Sequence, residues 1–329
     1  MKIIEIKDLK KTFGKFVAVD SINLEIEEGE IFGLLGPNGA GKTTTIRMLA
    51  TMLHKTSGEA RVYGIDVTND PDCVRRVIGI VFQDPAIDVE LTGRENLDFH
   101  ARMYGMAKKE REERIKQVLK MVELHDKADK FVSTYSGGMK RRLEIARGLM
   151  HNPKVLFLDE PTLGLDAQTR RVIWEHIKQI NKTENVTIIL TTHYMDEADY
   201  LCNRVAIIDH GKILKIGTAE ELKNSIGSDL ILIKSHNLRK LKSEISKFKW
   251  VIKTEIIADT LRITLKNGNT KIPDIIKTSE KLNVKVDSIE LHKPTLEDVF
   301  IRFTGRHMRE EADVMADNRM RNKLRGGRT

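Results

Sequence analysis

Long apolar runs are missing from this sequence of 329 residues. A membrane-spanning helix needs about 20 consecutive apolar residues, whereas the apolar stretches here, such as 155–158, are the length of a strand. The first residues, MKIIE, carry charges where a signal peptide has its apolar segment. These absences predict a soluble chain that reaches a membrane only through a partner protein.

Cysteine is also scarce, since the chain has only Cys73 and Cys202. A secreted disulfide scaffold would carry more cysteine, so the reducing cytosol is favoured as the compartment of this chain. No cluster of Cys and His has the spacing of zinc ligands. Aromatic residues make up 5% of the chain, which is ordinary for an α/β protein rich in Ile, Leu and Val.

Basic residues are in excess, with a net charge of +8, and one basic stretch stands at the end of the chain. Residues 319–328 contain five Lys or Arg and no acid, next to Gly326 and Gly327. This composition predicts a disordered basic tail over 305–329. Nucleic acid or anionic lipid could bind such a tail, and a solvated tail without a partner is the simpler interpretation.

Strand and helix patterns alternate over residues 1–227, which predicts a mostly parallel sheet with helices on both faces. Ile31–Leu35 has the pattern of a buried strand, and a helix is predicted after it over Thr44–Leu53. The charged stretch from Thr92 to about His125 is predicted as helical. A second helix is predicted from Met139 to Met150.

Between that strand and helix, residues 36–43 fit the pattern G-x-x-x-x-G-K-[ST], which binds nucleotide phosphates. The loop brings backbone N–H groups and a helix N-terminus towards the phosphate oxygens. Lys42 is predicted to reach the β- and γ-phosphates, and Thr43 to offer its hydroxyl to Mg²⁺. The predicted ATP contacts are Gly36, Pro37, Asn38, Gly39, Ala40, Gly41, Lys42, Thr43 and Thr44.

Two acids follow a second buried strand, in the sequence VLFLDE over 155–160. The strand delivers both carboxylates to the end of the sheet, beside the phosphate loop. Asp159 is predicted to hold Mg²⁺ through water. Glu160 is predicted to act as the general base that orients the attacking water.

The sequence YSGGMKRR over 135–142 resembles the ABC transporter signature LSGGQ, with Tyr for Leu and Met for Gln. Its Ser136, Gly137 and Gly138 form a second anion-binding pattern at a helix N-terminus. A second phosphate site in one chain has a purpose if it serves the ATP of another subunit. The resemblance therefore implies an ATP-sandwich homodimer with the P-loop ABC ATPase fold.

Further positions match this family in order and spacing, and their roles are implied by the resemblance. Gln83 matches the glutamine that senses the γ-phosphate, contacts the metal and communicates with the membrane subunit. Asp166 matches the D-loop that touches the partner subunit, and His193 matches the switch histidine at the γ-phosphate. Phe13 is the first candidate for stacking on adenine, with Phe16 as the second.

A closer likeness is to the daunorubicin/doxorubicin-resistance type of ABC ATPase. The segments YSGGMKRRLEIAR, VLFLDEPTLGLDAQT and PTLEDVFIRFTG carry it. The likeness implies an ATPase subunit that uses ATP and Mg²⁺, binds an integral membrane permease at the cytoplasmic face, and energises efflux of a drug-like or lipid-like compound. An importer ATPase and a soluble ABC ATPase acting on nucleic acid or ribosomes are the alternatives, and nucleic acid is not expected as a partner.

The pattern of strands and helices changes after about residue 227, and residues 228–304 are predicted to form a small α+β domain. Strands are predicted over Leu230–Ile233, Val251–Ile257 and Leu261–Leu265. The last helix is predicted to begin with Thr295 as its N-cap and Asp298 in the capping-box position.

Overall fold

Two compact units make up the chain, and one gives way to the other between Ala219 and Glu220. The computed structural model describes residues 1–225, 229–235, 237–257, 259–266 and 268–304. The predicted tail over 305–329 and the predicted boundary at 227–228 lie outside these residues and stay predictions. Within the described segments, no helix has the length and apolar character that crossing a bilayer demands.

A six-stranded sheet forms the centre of the first unit. Every residue of its strands at 31–35, 155–159 and 187–192 is buried, as expected for parallel strands covered on both faces. Five strands run parallel and the edge strand β10 is antiparallel. In spatial order the strands are β10 (Lys212–Gly217), β9 (Arg204–Asp209), β3 (Ile31–Leu35), β8 (Thr187–Thr192), β7 (Val155–Asp159) and β6 (Ile78–Val81).

A second, antiparallel sheet belongs to the same unit. Its longest strands form one hairpin, which brings Phe13 opposite Phe16. Residues 22, 24 and 26 are buried in alternation, because one face of the hairpin packs in an apolar core with the helix at Lys42–Leu49 and the six-stranded sheet. In spatial order the strands are β2 (Phe16–Glu27), β1 (Lys2–Phe13), β4 (Ser57–Val62) and β5 (Ile65–Asp66).

The helices of the first unit differ from the predicted ones in their bounds, and the first of them ends at Leu49 rather than Leu53. The stretch predicted as helical from Thr92 to about His125 is mostly helical, and it is divided into two helices because the chain turns at Gly105 in the left-handed region. The helix predicted from Met139 starts earlier, because Ser136 caps it. The helices are α1 (Lys42–Leu49), α2 (Pro71–Val77), α3 (Gly93–Met103), α4 (Lys108–Met121), α5 (Gly137–Gly148), α6 (Ala167–Glu184) and α7 (Met195–Leu201).

The second unit is a four-stranded antiparallel sheet with helices, which agrees with the predicted α+β class. Its apolar core includes Ile231, Ile263 and Leu241. Thr295 and Asp298 form the predicted reciprocal capping bonds. The helices are α8 (Ala219–Ser225), which begins at the junction, α9 (Leu238–Ile245), α10 (Gly268–Lys281) and α11 (Leu296–Thr304), and the strands in spatial order are β12 (Val251–Ile257), β13 (Thr260–Leu265), β11 (Asp229–Ser235) and β14 (Val286–His292).

Candidate functional site

The glycine-rich loop joins β3 to α1 at the carboxyl end of the parallel sheet. Gly41 caps α1 with φ of 101°, a left-handed conformation that favours glycine, and a Cβ there would lie 2.5 Å from the Ala18 carbonyl oxygen. A Cβ on Gly36 would lie 2.2 Å from the Ile208 carbonyl oxygen. Close packing against neighbouring backbone therefore requires glycine here, in addition to the phosphate approach that the sequence suggests.

Lys42, the first residue of α1, is 4% exposed and points back into the loop. Its Nζ donates to the carbonyl oxygens of Gly36, at 2.7 Å, and Pro37, at 3.0 Å. The same Nζ lies 3.5 Å from Glu160 Oε1. Burial lowers the pKa of Lys42, and the nearby Glu160 carboxylate opposes that shift. The loop thus holds the Lys42 ammonium among carbonyl and carboxylate oxygens. A phosphate group that enters the loop can bind this ammonium.

Asp159, the last residue of β7, is buried and joins two neighbouring segments. Its Oδ1 accepts from Thr43 Oγ1 at 2.9 Å and from Thr191 Oγ1 at 2.6 Å. A carboxylate beside a hydroxyl is an oxygen donor set that suits Mg²⁺, which keeps several waters and needs few protein ligands. No group of three or more His, Cys, Asp or Glu side chains suited to a metal occurs among the described residues.

Glu160 stands directly after β7 in an unusual backbone conformation. Its φ is 48°, and its N–H donates to the Thr191 carbonyl oxygen and to Thr191 Oγ1. Its Oε2 lies 3.3 Å from His193 Nδ1. Burial raises the pKa of Glu160, but His193 and Lys42 outweigh burial and hold the pKa below its usual value. The carboxylate is therefore ionised at neutral pH and able to accept a proton.

Lys42, Thr43 and Glu160 line a cavity of about 480 Å³, whereas Asp159 and His193 contact these residues from behind its lining. Gln83, which follows β6, also lines the cavity and is exposed. Of the other predicted contacts, Gly36 and Pro37 bind Lys42 through their carbonyl groups, and Ala40 accepts from Gly211 N. The lining residues are Phe13, Phe16, Ala18, Asn38, Gly39, Gly41, Lys42, Thr43, Thr44, Gln83, Glu160 and Leu163.

The signature residues do not line this cavity in their own chain, over the residues that the structure describes. Ser136 Oγ accepts from Met139 N and caps α5. A Cβ on Gly138 would lie 2.5 Å from Thr169 Cγ2, in the first turn of α6. Asp166 caps α6 by accepting from Thr169 N. The signature segment and the predicted D-loop are therefore neighbours, and both stand apart from the nucleotide cavity.

Two supporting residues escaped the sequence analysis. Thr191 on β8 bonds both Asp159 and Glu160, and Arg141 on α5 bonds the backbone that carries them. Nothing in the local sequence marks a threonine inside an apolar strand, or one arginine in a basic run, as part of a functional site. Only the pairing of β7 with β8 and the packing of α5 bring them to the site.

Both candidate adenine contacts line the cavity, on either side of the turn between β1 and β2. Phe13 is 50% exposed and Phe16 is 62% exposed, and Lys11 Nζ lies 4.9 Å from the centre of the Phe13 ring. Neither ring is sequestered by the chain itself, so each is available to stack on a base. The choice of Phe13 over Phe16 stays a prediction.

Replacing Phe13 by Ala should weaken ATP binding by about 5- to 100-fold, because stacking on an aromatic ring contributes about 1–3 kcal/mol per base. Phe13→Tyr should restore the affinity, and Phe16→Ala is the matched control at the neighbouring ring. Equilibrium titration with ATP measures the effect. A larger loss in Phe16→Ala than in Phe13→Ala would transfer the role to Phe16.

Two family models match the chain. Residues 19–163 match the family described as "ABC transporter", and residues 217–304 match "ATP-binding protein DrrA1-3-like, C-terminal domain". The first match contains the phosphate loop, the signature and the two acids after β7. The second match covers most of the α+β unit.

Curated relatives resemble the chain over nearly its whole length. The daunorubicin/doxorubicin resistance ATP-binding protein DrrA of Streptomyces peucetius is 38% identical, over 92% of this chain and 93% of that protein. The Nod factor export ATP-binding protein I of Burkholderia thailandensis is 38% identical, over 93% of this chain and 98% of that protein.

A solved structure with the same fold is a dimeric ATP-binding cassette in a post-hydrolysis state, bound to ADP and Pi. It has a TM-score of 0.59 and 30% sequence identity, and the likeness covers 65% of this chain and 98% of that one. The same family is indicated by the fold, by the loop that holds Lys42, by the paired acids and by these relatives. The chain belongs to the ABC transporter family, as an ATP-hydrolysing subunit of the exporter type with a DrrA-like C-terminal domain.

Proposed function

We propose that the chain hydrolyses ATP with Glu160 as general base and so energises the efflux of a drug-like or lipid-like compound through a separate membrane permease. The observation that carries the proposal is the cluster in which Glu160 lies between Lys42 and His193, within 3.5 Å of both. One end of the sheet therefore carries a cation for the phosphates (Lys42), a general base (Glu160) and the histidine that can contact the γ-phosphate (His193).

Binding of ATP begins with the phosphate loop and α1. The N-terminus of α1 and the Lys42 ammonium attract the phosphates, and Phe13 stacks on the base at the other end of the cavity. Asp159 and Thr43 would hold Mg²⁺, which supplies positive charge against the phosphate oxygens. When the phosphates engage Lys42, the ammonium exchanges its loop carbonyl partners for anionic oxygens.

Hydrolysis then depends on a water beside the γ-phosphate. Glu160 accepts a proton from that water as the water attacks phosphorus. His193 lies on the other side of the Glu160 carboxylate and can contact the γ-phosphate while it orients the base. Gln83, which lines the same cavity, senses whether the γ-phosphate is present.

A second copy of the chain completes each site in this proposal. The support is that Ser136 and Gly138, a phosphate-binding pattern at a helix N-terminus, stand outside the cavity of their own chain. In a head-to-tail homodimer, the signature of one chain covers the ATP on Lys42 of the other. ATP then closes the dimer, and hydrolysis opens it.

A candidate docking groove for the permease lies against α3. A cavity of about 200 Å³ lies between the segment 86–91 and α3. Phe99 and Met103 line it together and are 62% and 71% exposed, so they form a contiguous exposed apolar surface of the kind that marks interaction sites. A short helix of a membrane protein could bury both side chains there. The chain would then work at the cytoplasmic face of the membrane, as a peripheral subunit.

Two alternative functions can be distinguished from export by simple measurements. An importer ATPase would need an extracytoplasmic binding protein for activity. A soluble ABC ATPase would be stimulated by RNA or DNA, steeply and with strong salt dependence. Export is favoured because the relatives with matching C-terminal domains are named for resistance and export.

Reconstitution with the neighbouring permease tests the function. We expect the chain, co-purified with the membrane protein encoded beside its gene and placed in liposomes, to show ATPase activity that an amphipathic drug or a lipid raises. Phe99→Ser with Met103→Ser should uncouple this stimulation while basal activity stays. Failure to bind any membrane protein, together with stimulation by RNA, would contradict the proposal.

A further inference from the structure

Arg141 on α5 is 7% exposed, and its guanidinium contacts the backbone that carries Glu160. Its Nη2 donates to the carbonyl oxygens of Asp159 and Glu160, both at 3.1 Å. Its Nε donates to the carbonyl oxygen of Pro161 at 2.6 Å. Three consecutive peptide groups around the base are therefore fixed by one side chain of α5.

The same guanidinium also reaches the segment that carries Gln83. Its Nη1 donates to the Phe82 carbonyl oxygen at 2.6 Å and to Glu144 Oε2 at 2.9 Å. Glu144 in turn accepts from Ala86 N at 2.9 Å through Oε1. The residues on both sides of Gln83 are thus bound to one ion pair of α5.

We propose that Arg141, together with Glu144, is a positioning residue that holds Glu160 and Gln83 in working geometry. The inference rests on the proposed role of Glu160 as general base. Arg141 does not line the nucleotide cavity, so it acts through the backbone of the residues that do. Because the signature residue Ser136 caps α5, a shift of this helix at the signature would also displace Glu160 and Gln83.

Arginine is suited to this task for a geometric reason. Its planar fork presents five N–H donors in fixed directions, and Arg141 uses them on four carbonyl groups and one carboxylate. Lysine offers a single charged centre and cannot reach all five acceptors. The backbone of Glu160, with φ of 48°, is an uncommon conformation that persists only when its surroundings hold it.

Arg141→Lys in the full-length chain should lower kcat for ATP by about 10- to 100-fold, since a misplacement of about 1 Å costs up to 10²-fold in rate. KM for ATP should change by less than about threefold, because the phosphate loop is not touched. Steady-state kinetics measures both constants. A buried arginine with a merely structural role would not separate kcat from KM in this way.

Arg114→Lys is the matched control, because Arg114 is equally buried and donates to the Leu149 carbonyl oxygen at the other end of α5. It should lower the melting temperature with kcat kept. Glu144→Gln tests the same link if Arg141→Lys fails to fold, and it should lower kcat by about fivefold, the equivalent of one hydrogen bond. Full kcat in a folded Arg141→Lys or in Glu144→Gln would overturn the inference.

A double variant separates this inference from the proposed role of Glu160. In a Glu160→Gln background, adding Arg141→Lys should lower the residual rate by less than the 10- to 100-fold expected of the single variant, because residues that act as a unit are not additive and only the effect through Gln83 is left. Additive losses would show that Arg141 acts independently of the base. A Glu160→Gln chain with normal kcat would instead remove the general base itself.

Discussion

Glu160→Gln should lower kcat for ATP hydrolysis by at least about 10²-fold, the lower end of general-base catalysis, while MgATP still binds. Glutamine keeps the shape of the side chain but cannot accept the proton of the attacking water. Its carboxamide also removes the negative charge beside Lys42 Nζ and His193 Nδ1, so electrostatic competition for Lys42 becomes weaker. ATP affinity should therefore stay the same or rise. Steady-state hydrolysis and equilibrium titration with ATP measure the two effects.

Glu30→Gln is the matched control for this variant. Glu30 is also a buried acid, 8% exposed, but it precedes β3 and so lies at the end of the sheet opposite the cavity. Its replacement should leave kcat within about twofold, as expected for a distant independent site. Hydrolysis near the wild-type rate in Glu160→Gln would exclude Glu160 as the general base.

Lys42→Ala should weaken ATP binding by about 10- to 100-fold and abolish measurable hydrolysis. A charge-assisted hydrogen bond contributes about 1.5–3 kcal/mol, and the lost ammonium also leaves the γ-phosphate charge uncompensated in the transition state. Lys55→Ala is the control, because Lys55 donates to the Gly58 carbonyl oxygen away from the cavity. Unchanged ATP affinity in Lys42→Ala would mean that the ammonium stays on its loop carbonyl groups during binding.

The phosphate loop and the paired acids could be predicted because their chemistry is local in sequence. The strand, glycine loop and helix around Lys42 are consecutive, and each has its own pattern. Asp159 follows an uninterrupted apolar strand, so its place at the edge of the parallel sheet follows from the sheet itself. The structure brings Lys42, Thr43 and Glu160 to one cavity and bonds Asp159 to Thr43, as the sequence suggested.

Other features could not be predicted because they depend on contacts between distant segments. The bonds of Thr191 to Asp159 and of Arg141 to Pro161 join residues 32 and 20 positions apart. The position of the turn at Gly105 has no local pattern, because charged residues on both sides favour helix. The strand β14 was overlooked because its alternation of apolar and polar residues is short and interrupted by Ser288.

The central claim is that each ATP site is built from residues of two copies of the chain. Mixing two inactive chains tests it directly. One chain carries Lys42→Ala. The other carries Ser136→Asp, which keeps an N-cap for α5 but places a negative charge against the partner's phosphates. Each homodimer should be inactive, since both of its composite sites contain one defect.

A mixed dimer would contain one doubly defective site and one intact site. The account predicts that mixing equal amounts of the two chains restores roughly a quarter of the wild-type ATPase rate, because about half of the dimers are mixed and each has one working site of two. No recovery, with mixed dimers shown to form, would mean that Ser136 serves the ATP of its own chain, and it would contradict the head-to-tail arrangement.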